Sequence, residues 1–170
     1  DLGMSASELS IRNSTIFSKI DLSEGSKLTL ENVHIEIFGN NTIHAKDSEV
    51  IAKNSTITGG DLEKDFPPVW LRNVIWESEN CKIELPTGTG VCLDNNVQFN
   101  SDSDHMTSIN SYNSMIRAHQ ATFSEFLCVY EESFASLTGE TTFLNENAQT
   151  ISFGVFDDGV LMAEHMICHK

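Results

Sequence analysis

Trp70, Arg72, Asp94, Arg117 and His119 carry most of the recognition chemistry this chain offers. An indole gives an apolar face on which a pyranose stacks, and a guanidinium grips a carboxylate through paired hydrogen bonds. A carboxylate or imidazole completes the set by binding hydroxyls. The combination is the composition of a saccharide-binding surface. The competing reading is alternating charge on a solvated sheet, with Trp70 covered by the loop at 59–68. Residues so far apart in sequence make a site only if the fold repeats and lays them side by side.

The sequence does repeat. Ser26 to Ile35 reads small, x, apolar, x, apolar, x, Asn, x, x, apolar, and Ser7–Ile16, Ser48–Ile57 and Pro67–Trp76 follow the same form. Weaker copies extend it, so that the marker position falls at 13, 32, 54, 73, 95, 120, 139 and 164. The steps are 19, 22, 19, 22, 25, 19 and 25 residues. Apolar residues two apart define a strand with one buried face. Asn tolerates the left-handed backbone of a tight corner, and the apolar residue three further on starts another strand. A unit this short cannot bury its own side chains, so copies must stack to build a core. The interchangeable Ile, Val, Ala and Leu argue against a leucine-rich repeat, and no helical stripe is present. The expected fold is all-β: a single-domain right-handed parallel β-helix of about eight coils over residues 1–170, a rod on the order of 35 Å long.

That register predicts one column of Leu9, Leu28, Val50 and Val69, and one corner ladder of Asn13, Asn32, Asn54, Asn73 and Asn95. It also places Trp70, Arg72, Asp94, Arg117 and His119 on one outward face within three successive coils. Two glycines and two prolines at 59–68 predict a bulging loop, and 84–90 another turn.

Other constellations are weaker. Asp102, Asp104 and His105 offer hard ligands for Ca²⁺, but without an EF-hand loop they read as a solvated acidic loop. The run His165 to His169 lacks a second ligand cluster and reads as a polar tail. No metal site and no cofactor is expected. No Gly-x-Ser-x-Gly, His-Glu-x-x-His or phosphate loop occurs.

The phrases Gly25-Ser26-Lys27-Leu28-Thr29-Leu30 and Ala135-Ser136-Leu137-Thr138-Gly139-Glu140-Thr141-Thr142-Phe143 resemble autotransporter passenger domains. More broadly the pattern is similar to the right-handed parallel β-helix superfamily, which includes phage tailspikes and pectin-lyase-like enzymes. Asp157-Asp158-Gly159 superficially resembles the paired aspartates of polygalacturonase-like enzymes, but their companion Asn-Thr-Asp and Gly-His-Gly are absent. The resemblance implies fold far more than activity.

Composition narrows the partners. Ten Lys and Arg against 25 Asp and Glu give a net charge of −15, which opposes nucleic-acid binding because phosphate contacts need clustered cations. No apolar run is long enough to span a membrane. The chain begins at Asp1 without Met, as a processed or excised piece would. Cys81, Cys92, Cys128 and Cys168 form no CxxC, and isolated structural thiols are expected ahead of a disulfide. The sequons at Asn13 and Asn54 coincide with corner markers, so the repeat already explains them. The expected protein is a non-catalytic, surface-displayed or secreted module for adhesion or glycan recognition, extracellular, at a cell surface or on a virion. Its partner would be a glycan or cell-surface receptor, with oligomerisation, a trimer if tailspike-like, left open. The alternative is a polysaccharide-degrading lyase or glycoside hydrolase fragment.

Overall fold

The computed structural model describes residues 1–39, 42–62, 67–144 and 153–169, those at 61 and 62 in backbone only. They form a parallel β-solenoid of about seven turns, all-β, with no helix among the described residues. All described strands join one 18-stranded sheet.

Each turn presents three faces. The first is built from Leu2–Ser5, Ile20–Ser23, residues 43–46 and 69–72, Val91–Asp94, residues 108–112 and 126–130, and Phe153–Val155. The second stacks Glu8–Arg12, Lys27–Glu31, residues 49–53 and 75–79, Gln98–Asp102, Met115–His119, and residues 134–138 and 160–163. The third runs from Thr15–Ile16 through His34–Gly39, Thr56–Leu62 and Lys82–Glu84 to residues 140–143 and 165–168. Several strands bend round a corner without breaking, and Val69–Glu79 serves two faces in succession.

The interior is built of columns of stacked apolar side chains, at least one from each face. Ile20, Ile43, Val69, Val91, Ile109 and Leu127 line the first face; Leu28, Val50, Trp76, Phe99, Ile116 and Ala135 the second; Ile35, Ile57, Ile83, Met106, Phe123 and Phe143 the third. Within them Trp76 stacks on Phe99 at 5.8 Å and Phe123 on Phe143 at 5.1 Å. Each side chain covers its neighbours above and below, and so a core exists only by repetition.

Two corners, not one, use left-handed backbone repeatedly along the rod, and Gly39 and Gly88 add it between the third face and the first. Between the second and third faces stand Asn13, Asn32, Asn54, Asn80, Ser103, Gln120 and Gly139, all with φ between 47° and 67°. Between the first and second faces stand Asp47, Asn73, Asn95 and Asn113, with φ between 43° and 62°. The expected single amide ladder is therefore two. Asn32 Nδ2 donates to Asn13 Oδ1 (3.1 Å) on one edge, and Asn73 Nδ2 to Asp47 Oδ1 (2.8 Å) on the other. Both sequon serines are corner parts: Ser14 and Ser55 donate to the carbonyls of Arg12 and Lys53 at 2.7 and 2.8 Å.

This second corner corrects the register. Val50 stacks on Trp76, and Val69 on Ile43 and Val91. The column predicted to contain Val69 is instead Leu9, Leu28, Val50, Trp76, Phe99, Ile116, Ala135, Leu161. Turn length varies, from 17 residues between Val97 and Ser114 to 26 between Asp47 and Asn73. Asn73 and Asn95 obey the same corner chemistry as Asn54, one edge away, so a near-constant ruler slides onto the wrong edge there.

Other expectations change accordingly. Gly59 and Gly60 belong to the strand Thr56–Leu62 rather than a loop, while residues 63–66 lie outside the described residues. The turn before Val91 is present, with Thr89 N donating to Pro86 O at 3.0 Å. Residues 165–168 are not a tail but part of the strand Val160–Cys168.

Candidate functional site

The five residues singled out in the sequence separate onto two faces. Trp70, Arg72 and Asp94 project from the first, Arg117 and His119 from the second. The cause is the edge slip: Cys92 pairs with Trp70 and Asn110, whereas Arg117 pairs with Asn100 and Ser136.

On the second face, three outward columns run the length of the rod. Their N-terminal part is charge-compensated rung by rung, with Arg12–Glu31 at 2.9 Å, Lys27–Glu49 at 2.8 Å and Lys53–Glu79 at 2.8 Å. The Glu49 and Glu79 carboxylates hold the Lys27 and Lys53 ammonium groups above their ordinary pKa. Beyond Glu79 the pairing stops. Glu77, Asn100 and Arg117 follow one another in one column, and Asp102 and His119 are neighbours in the next. Among the described residues none of Glu77, Asp102, Arg117 and His119 enters an ion pair. There the surface is concave, a shallow hollow of about 370 Å³ lined by these side chains with Ser136 and Thr138. His119 is steadied by Thr138, Nδ1 to Oγ1 3.1 Å. Its neighbour Gly139 keeps the corner open, since a Cβ there would come within 3.0 Å of His119 Cε1 and the backbone has φ +67°. Sequence reasoning found Arg117 and His119 but missed Glu77, Asn100 and Asp102, which only the corrected register puts beside them.

Asp104, offered in sequence as a loop ligand with Asp102 and His105, points the other way. It is 1% exposed, and its Oδ1 accepts the Cys81 N–H at 2.7 Å. Its Oδ2 accepts the Ser78 hydroxyl, which itself accepts Trp76 Nε1–H at 3.0 Å. Burial pushes the Asp104 carboxyl above the usual range. Asp102 faces outward and Asp104 inward, and the described residues hold no group of three metal-ligating side chains. Asp157 and Asp158 are corner residues, with φ of 48° and 63°.

On the first face, His44 lies flat against Trp70, centroids 4.4 Å apart and planes 20° from parallel. His44 Nδ1 stands 3.6 Å from Asp21 Oδ1. His44 thus covers one face of the indole, and the expected cover from the loop at 59–68 is not needed to explain its partial burial. Further along the same face Tyr112, Tyr130 and Phe156 stack at 4.9 Å intervals. All four cysteines are free. Burial raises the Cys81 and Cys92 thiols to about 11, so neither supplies a thiolate nucleophile at neutral pH.

The architecture makes the chain a parallel β-solenoid. Compared with family models, curated proteins and solved structures, it matches none. Among the described residues no helix is long and apolar enough to cross a membrane.

Proposed function

We propose that this chain is a non-catalytic β-solenoid module for glycan recognition, displayed at a surface or secreted, with its principal contact face in the hollow of the second face. The observation that carries the reading is the change along one sheet. Charged side chains neutralise one another as far as Glu79, then stand unpaired where the surface becomes concave. Carboxylate, guanidinium, imidazole, amide and hydroxyl groups that no ion pair ties up stand on neighbouring rungs, and such groups hold hydroxyl-rich ligands by many directional hydrogen bonds. The repeating rungs match a repeating polymer, so affinity accumulates over several modest contacts. Of the sequence-derived ligand set, Arg117 and His119 serve this hollow, while Trp70, Arg72 and Asp94 serve a second surface.

One observation favours a second reading. Glu77 and Asp102 lie on neighbouring rungs with Arg117 and His119 beside them, the group types a polysaccharide hydrolase or lyase uses for acid–base chemistry. The two readings separate experimentally. The chain is applied to immobilised neutral and acidic glycans, and the soluble polymers are assayed for new reducing ends and unsaturated products. Binding without product, weakened about tenfold or more by Arg117→Ala at unchanged thermal midpoint, fits recognition. Product formation lost in Asp102→Asn fits catalysis. Binding indifferent to both substitutions would remove the hollow from either role.

A further inference from the structure

We propose that Lys46 and Arg72 form a clamp on the first face for the anionic group of an acidic sugar. This site is distinct from the hollow of the second face and does not depend on it. Among the described residues Arg12, Lys19, Lys27, Lys53 and Lys82 each meet a carboxylate in an ion pair. Lys46, Arg72 and Arg117 do not, and Lys46 and Arg72 are direct partners on adjacent rungs. Both project outward and both are exposed. Like charges directly opposite on a sheet oppose folding, and on a chain of net charge −15 a carboxylate partner would be easy to supply.

Of the nearby acids, two are committed elsewhere, and the third, Asp94, forms no ion pair with Arg72. Asp21 is engaged by Lys19 at 2.9 Å, and Asp47 accepts the Asn73 amide at 2.8 Å. An anion bridging the two rungs, which lie about 4.8 Å apart, would meet a guanidinium fork and an ammonium together. The surroundings select the kind of anion. Asp94 stands one residue past the Leu71–Leu93 pair, on the rung after Arg72. It repels a continuous polyanion such as nucleic acid but accepts hydroxyls. Trp70, held by His44 in the adjacent column, adds an apolar edge. A sugar carrying one carboxylate or sulfate, followed by hydroxyls, fits that order of groups.

The test uses the whole chain, isotope-labelled, titrated with four probes and followed by amide shifts. The probes are a glucuronate-terminated disaccharide, its methyl ester, the uncharged glucose disaccharide and a sulfated disaccharide. The clamp predicts saturable shifts at residues 44–46 and 70–72 with the carboxylated or the sulfated probe, and which one binds identifies the group. It also predicts about tenfold or greater loss with the ester and with Lys46→Gln or Arg72→Gln. The thermal midpoint of those variants should be unchanged or higher, because the opposed charges are relieved. The proposal is overturned if the ester binds as well as the acid, or if the substitutions leave the affinity intact. It also fails if the shifts fall only at residues 98–119, or if a single-stranded oligonucleotide binds the same amides more tightly.

Discussion

Asp104 shows what an inward polar residue does in this fold. It takes the Cys81 amide hydrogen and the Ser78 hydroxyl, closing a corner that elsewhere uses a serine such as Ser55, which accepts Val33 N–H at 3.1 Å. Because its folded pKa is raised, the native chain binds this proton more tightly than the unfolded chain. The stability it contributes is therefore full below the unfolded value, about 3.9, and declines as pH rises through the folded value. Denaturant titrations across pH should show that decline flattened in Asp104→Asn, which keeps an acceptor for Cys81 N–H. Asp104→Ala should cost about 1–3 kcal/mol at neutral pH, because the amide is left unpartnered. Nothing in the run Asp102-Ser103-Asp104-His105 says which carboxylate turns inward; only the corner at Ser103, with φ 57°, decides it.

Corners and strands were legible to different degrees. The alternation in Lys27–Glu31 and the left-handed demand at Asn32 could be read directly, because a two-residue period and a short amide side chain each have one physical meaning. Which corner an Asn occupied could not, since Asn54 and Asn73 satisfy the same backbone with the same side chain on different edges. Trp76 was equally ambiguous: in sequence it stands three past Asn73 as Ile57 stands three past Asn54, yet it packs on Val50 and Phe99. The candidate site inherited that error, and for this reason its five residues divide. Asn32→Val should destabilise by about 2 kcal/mol or more, combining left-handed strain with the lost bond to Asn13. Asn32→Gly should cost distinctly less, since glycine accepts φ 55° freely. Equal losses in chemical denaturation would mean that backbone strain is not what the asparagine relieves.

Taken whole, the rod is a stack of thin layers whose charged groups are mostly acidic, 25 Asp and Glu against ten Lys and Arg. Exposed pairs such as Arg12–Glu31 add little each, whereas a net charge of −15 repels itself throughout the chain. Raising sodium chloride from about 10 to about 150 mM shortens the Debye length from about 30 to about 8 Å. The thermal midpoint should therefore rise, and a fall would mean that the ion-pair ladder outweighs the repulsion.

Both proposed sites depend on which residues are neighbours between rungs, and a cystine reports that directly. In Asn100→Cys/Arg117→Cys the new thiols occupy partner positions on adjacent strands, a separation within the 4.4–6.8 Å Cα range a disulfide spans. Peptide mapping after mild oxidation should recover a 100–117 bridge. A bridge between Cys92 and residue 117, which the one-corner register requires, would contradict the stacking and dissolve the hollow with it.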